Sequence, residues 1–116
     1  MAGNLTKIGN WVKACTVQDI PLFEGRRTSI KGFYVGIFHT GEGFYAIGDV
    51  CPHRGGPLSD GIIAGTEVSC PLHNRRVALK SGKVVNDDLS CVPAFPVEVR
   101  DGTVYVDIST LQESFI

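Results

Sequence analysis

Along the chain, short apolar runs alternate with clusters of Gly, Asp, Asn and Ser, the punctuation of strands joined by tight turns. No segment holds a helical period for as long as about ten residues. The strictest alternation is Thr103-Val104-Tyr105-Val106-Asp107-Ile108, which puts its apolar side chains on one face. It predicts a hairpin of 97–99 with 104–108 about Asp101-Gly102, a pair suited to a two-residue turn. A second hairpin joins 35–38 to 44–47 through Thr40-Gly41-Glu42-Gly43, and a third joins 77–80 to 84–85 across Ser81-Gly82. Residues 11–14 and 27–30 read as further strands, with 19–25 a turn-rich connection holding Pro21. The elements add up to a small all-β sandwich or barrel.

The stretch 51–73 breaks the pattern. Cys51-Pro52-His53-Arg54-Gly55-Gly56-Pro57-Leu58-Ser59-Asp60-Gly61 holds too much Gly and Pro for a paired central strand, so the stretch is expected to be loop. Loops on a rigid scaffold are where function concentrates. The tail 109–116 has the makings of one helical turn capped by Ser109 or Thr110, with Leu111, Phe115 and Ile116 as its few apolar residues. Without a repeat, a linker or a low-complexity segment, one domain spanning 1–116 is expected.

Length and charge narrow the function classes. A chain of 116 residues buries enough surface to fold without disulfide staples. A formal net charge of -1 gives no footprint of a nucleic-acid binder. The N-terminal residues lack the charged start, apolar run and cleavage site of a secretory signal, which points to the cytoplasm. Apolar stretches such as 32–38 fall far short of the ~20 residues a membrane-spanning helix needs, so no membrane is expected. In a reducing compartment the 4 cysteines suit metal or redox chemistry better than a disulfide framework.

Two of those cysteines have histidine neighbours. Cys51-Pro52-His53 and Cys70-Pro71-Leu72-His73 are two knuckles, each offering one thiolate and one imidazole, separated by residues 54–69. In a Rieske centre two Cys hold one iron and two His the other, so two loops giving one ligand to each iron fit that arrangement. A Cys2His2 zinc site has the same ligand types, but zinc spacings group like ligands, whereas each pair here is mixed. A zinc-stabilised interaction module is the competing reading outside redox chemistry. Two buried thiols beside unrelated histidines would leave the shared Cys-Pro start a coincidence.

Beyond these ligands, Gly55-Gly56-Pro57-Leu58-Ser59-Asp60-Gly61, Leu79 with Ser81-Gly82, and Val92-Pro93-Ala94-Phe95-Pro96 all resemble the Rieske ferredoxin-like family, and the likeness runs from Trp11 to Ile108. The resemblance implies an antiparallel β sandwich with a small cluster-binding subdomain at about 48–82, and one 2Fe-2S cluster on Cys51, His53, Cys70 and His73. It also implies that the histidines ligate through Nδ1, and that 92–96 is the proline-bearing loop covering the cluster. Within the family, Cys51-Pro52-His53-Arg54-Gly55-Gly56-Pro57-Leu58 and Cys70-Pro71-Leu72-His73-Asn74 most resemble small subunits of assimilatory NAD(P)H-dependent nitrite reductases. The implied partner is then a large subunit carrying flavin and sirohaem, on which nitrite becomes ammonium. Ferredoxins of aromatic-ring dioxygenases are near neighbours, commonly with Thr in place of Pro52 and Gly or Gln in place of Asn74. For them the partners are a flavoprotein reductase and a terminal oxygenase.

Departures from the family are informative. Gly56 and Leu72 stand where respiratory Rieske proteins carry two bridging cysteines, and Arg75 and Val77 stand where those proteins place Ser and Tyr. Fewer hydroxyl donors toward cluster sulfur predict a potential at the low end of the Rieske range of roughly -150 to +300 mV. Cys15 and Cys91 read as small buried hydrophobes, and His39 as a surface turn residue. Arg54, Arg75 and Arg76 flank the ligands and suit an acidic electron partner as well as plain solvation. No helix follows Gly41-Glu42-Gly43 to make it a phosphate loop. No nucleophile and base pair is identifiable, so the chain reads as a carrier that is not catalytic alone.

Overall fold

The computed structural model describes residues 10–50, 57–70, 75–85 and 92–109. Among them the strands are, in chain order, β1 (Trp11–Thr16), β2 (Gly25–Ile30), β3 (Phe33–Thr40), β4 (Gly43–Gly48), β5 (Ile62–Ala64), β6 (Glu67–Ser69), β7 (Arg76–Ala78), β8 (Ala94–Phe95), β9 (Val97–Arg100) and β10 (Thr103–Asp107). They form three antiparallel sheets, β1-β10-β9, β2-β3-β4-β8 and β5-β6-β7. The remaining helical elements are two short 3-10 turns, Val17–Asp19 and Leu58–Asp60.

The turns explain the hairpins. β9 and β10 close with Arg100 opposite Thr103, and Asp101 (φ 51°) and Gly102 (φ 78°) both take the positive φ that an I′ turn requires. The same device joins β2 to β3 at Lys31 (φ 52°) and Gly32 (φ 84°), a hairpin that Lys31 conceals from a sequence reading because Asn or Asp is the usual sign. β3 and β4 pair from Val35 opposite Gly48 to Thr40 opposite Gly43, and the Thr40 hydroxyl both donates to the Gly43 carbonyl and accepts from the Glu42 amide. The third expected hairpin forms between Val77 and Val84, with Val85 N–H donating to the Arg76 carbonyl.

Two cores lie on opposite faces of the four-stranded sheet. Val35, Ile37 and Ala46 turn one way and meet Val104 and Val106 of the first sheet and Ile108 just beyond it. Phe38 and Ile47 turn the other way and meet Leu58, Val68, Cys70, Val77, Leu79, Val84 and Val92. Since alternate residues of a strand point to opposite faces, β3 is buried along Val35, Gly36, Ile37 and Phe38 because both faces are covered.

Two expectations need correction. The stretch 51–73 is not loop throughout: the Gly and Pro density ends at Gly61, and β-branched residues at Ile62, Ile63 and Val68 pair in β5 and β6 around a turn at Gly65 (φ 61°) and Thr66. The segment 92–96 is not purely loop either. Ala94–Phe95 adds β8 to the edge of the central sheet, the place where flanking prolines such as Pro93 and Pro96 are tolerated.

Candidate metal centre

Each of the two knuckle-bearing stretches is flanked by residues that pair with each other to form a closed neck. Val50 bridges to Pro57 and the Leu58 N–H donates to the Asp49 carbonyl at 3.4 Å, which closes the chain across 51–56. The Cys70 N–H donates to the Arg75 carbonyl at 2.6 Å, which closes it across 71–74. The necks are tied to each other where Gly61, just beyond the first, packs against the carbonyl of Ser69, just before the second. A third segment joins them, since the Gly48 N–H donates to the Pro93 carbonyl at 2.8 Å and the Val92 N–H to the Gly82 carbonyl at 2.8 Å. The proline-bearing segment is thus anchored beside the end of β4, two residues ahead of Val50.

Of the four expected ligands, Cys70 is described, and it is 1% exposed within the second core. Cys51, His53 and His73 lie outside the described residues, as do Arg54, Cys91 and the tail 110–116. A thiol in such apolar surroundings suits either a metal-bound thiolate or an inert hydrophobe. The dry shell around it is also what raises the influence of neighbouring dipoles on a bound metal. Val77 is fully buried in this core and presents methyl groups where a hydroxyl donor would be polar. Arg75 is half-buried, whereas Arg76 is exposed and lies 3.5 Å from Glu67 in an ordinary surface pair.

Sequence reasoning missed Asp49. Its side chain is fully buried between β4 and the first neck, and the Arg27 Nε donates to Oδ2 at 2.7 Å. The Ser59 N–H donates to Oδ1 at 2.5 Å and the Ser59 hydroxyl to Oδ2 at 2.6 Å. Arg27 also donates from Nη2 to the Asp49 carbonyl at 3.1 Å, while its guanidinium lies 4.0 Å over the Tyr34 ring. A buried carboxylate is tolerated only when paired and hydrogen-bonded in this way. The available signal was a lone acid closing the apolar run Ala46-Ile47-Gly48.

His39 is not the surface turn residue expected. It sits inside β3, half-buried, with its ring stacked on Phe44 at 4.1 Å. Its Nδ1 lies 2.9 Å from the Ile20 carbonyl, which can only accept, so that nitrogen carries the proton. Cys15 is half-buried against the first core, where burial and the nearby Asp19 charge push its thiol up against the opposing pull of Arg26. Beside the first neck an open, mainly apolar groove of about 330 Å³ is lined by Tyr34, Val50, Val92 and Pro93 among others. Among the described residues, no helix is long and apolar enough to cross a membrane.

A model of the Rieske-like 2Fe-2S domain matches residues 10–107. The chain is 34% identical over 110 residues to the 3-phenylpropionate/cinnamic acid dioxygenase ferredoxin subunit of Escherichia coli K12, covering 89% of this chain and 98% of that one. Among solved structures, one assigned as an NADPH nitrite reductase small subunit is 32% identical with a TM-score of 0.76, over 84% of this chain and 97% of that one. Another, assigned as an NADH-dependent nitrite reductase small subunit of Mycobacterium tuberculosis, is 27% identical with a TM-score of 0.79, over 86% and 96%.

Proposed function

Because the chain belongs to the Rieske-like 2Fe-2S domain family, carries one Rieske cluster and transfers electrons, we propose that Cys51, His53, Cys70 and His73 are the ligands and that the chain is the small subunit of a cytoplasmic NAD(P)H-dependent nitrite reductase. On this reading residues 1–116 form one domain, with 48–82 as its cluster-binding part. The zinc-stabilised module is set aside by the family match.

When bound, the cluster supplies reversible one-electron transfer at a potential set by its two thiolates and two imidazoles. The chain's own residues supply the rest. Cys70 brings a thiol at the end of β6, the two necks fix the residues that flank the ligand-bearing stretches, and Cys70 itself lies in an apolar core. The nitrite reductase reading is carried by the ligand sequences Cys51-Pro52-His53 and Cys70-Pro71-Leu72-His73-Asn74, where Pro52 and Asn74 depart from the usual dioxygenase ferredoxin residues. Nitrite reduction itself would take place on the large subunit.

Reconstitution with a flavin and sirohaem large subunit tests this, following nitrite-dependent NAD(P)H oxidation. The expected result is copurification of the two chains and loss of activity when Cys51→Ser removes the cluster. Failure of the chains to associate would overturn it. The 34% identity to a dioxygenase ferredoxin subunit favours a second reading, a ferredoxin that carries electrons from a flavoprotein reductase to a terminal oxygenase. Reduction of the chain by such a reductase, followed by oxygenase turnover, would support that reading against the first.

A further inference from the structure

Asp49 occupies the point where the chain leaves β4 for the first knuckle, and Ser59 occupies the point just after it returns. Both carboxylate oxygens are engaged, Oδ1 by the Ser59 N–H at 2.5 Å and Oδ2 by the Ser59 hydroxyl at 2.6 Å and the Arg27 Nε at 2.7 Å. The backbone of the same residue is held as well. Its N–H donates to the Tyr34 carbonyl at 3.0 Å, and its carbonyl accepts from Arg27 Nη2 at 3.1 Å. Position 36 on β3 makes room for the carboxylate, since a Cβ on Gly36 would stand 2.9 Å from Asp49 Oδ1. One buried side chain therefore fastens the departing strand, the returning 3-10 turn and β2 together.

We propose that Asp49 is a positioning residue for the 2Fe-2S cluster, its carboxylate clamping both ends of the stretch that carries Cys51 and His53 so that those two ligands are presented in one fixed arrangement. The inference rests on the assignment of Cys51 and His53 as ligands. A purely structural tie would stabilise the fold without regard to the metal. The arrangement here is different, because the bonds to Ser59 span the neck of the ligand-bearing stretch and every carboxylate bond ends on a residue outside it. Arg27 balances the charge and itself lies over the Tyr34 ring at 4.0 Å, so the clamp is braced from the solvent side.

The holoprotein carries the test, through the electron paramagnetic resonance line shape of the reduced cluster and the rate of iron release to a chelator. Asp49→Asn retains an acceptor for Ser59 but loses the charge, and Ser59→Ala deletes one bond to the carboxylate while leaving the Ser59 N–H in place. Asp49→Asn is expected to shift or broaden the g values and to speed iron release on the order of tenfold, the lower end of what supporting residues contribute around metal ligands. Ser59→Ala is expected to act in the same direction to a smaller extent. Should Asp49→Asn fail to fold, Ser59→Ala decides the matter alone. Folded variants with the wild-type line shape and release rate would overturn the proposal, even if their unfolding midpoint fell. Cys51→Ser separates the two layers: if it keeps the Rieske signal the ligand assignment fails, whereas if it loses the signal while both clamp variants keep it, only the clamp fails.

Discussion

Gly61 lies so close to the carbonyl oxygen of Ser69 that a Cβ at position 61 would overlap it. With φ at -79° the backbone there suits any residue, so the restriction is one of space. The obstacle is main chain and cannot rotate away. Gly61→Ala is expected to cost about 1–3 kcal/mol, as overpacking does, and to part the two knuckle necks. Chemical denaturation and iron content of the purified protein check this; unchanged values for both would contradict it.

The two cores predict different consequences for the same kind of cavity. Leu79 and Ile37 are each 1% exposed, the first in the core that contains Cys70 and the second in the sandwich between the larger sheets. Truncation of either to Ala is expected to cost about 2–5 kcal/mol. Only Leu79→Ala should also lower the amount of cluster retained per chain, because its cavity opens beside a proposed ligand. Parallel iron analysis and thermal unfolding of the two variants would show it, and equal cluster loss in both would refute the link.

The buried methyl groups of Val77 bear on the potential. This side chain is fully buried beside Cys70, so no hydroxyl at 77 stabilises the reduced, more negative cluster. A redox titration should place the midpoint in the lower part of the range of roughly -150 to +300 mV. A value close to the upper limit would show that other donors replace the missing one.

Asp107 predicts a dependence on pH. Burial pushes its carboxyl up, but hydrogen bonds from the Ser109 hydroxyl at 2.6 Å, the Asn10 N–H at 2.9 Å and the Ser109 N–H at 3.0 Å outweigh it and hold the carboxyl below its ordinary value. A carboxyl lowered in the folded state stabilises fully above its unfolded pKa of about 3.9, and that contribution disappears as pH falls through the lower folded value. Asp107→Asn should therefore be less stable than the parent at neutral pH, with the gap closing below about pH 4. Unfolding midpoints measured across that interval would reveal a parallel offset if the linkage were absent.

Much of the architecture was open to a reading of the sequence. Alternation at 103–108 and the pair Asp101-Gly102 specified one hairpin, because side-chain period and positive φ are local properties. Mixed Cys and His knuckles indicated the cluster by the same logic, since ligand chemistry is carried by residue type and spacing. The Lys31-Gly32 turn and the strands at 62–69 escaped notice, the first because Lys rarely takes positive φ and the second because neighbouring glycines and prolines hid a β-branched run.

By itself, then, the sequence determined an all-β chain with a 2Fe-2S chemistry, as both follow from patterns within a few residues of one another. Tertiary structure alone decided that β3 is buried on both faces, that His39 is packed inside a strand, and that Asp49 finds Arg27 and Ser59. Those partners are remote in the chain, and an isolated Asp in a sequence looks the same whether water or a buried guanidinium will solvate it. The distinction arises only when folding removes the water and requires every charge left inside to find its counterpart.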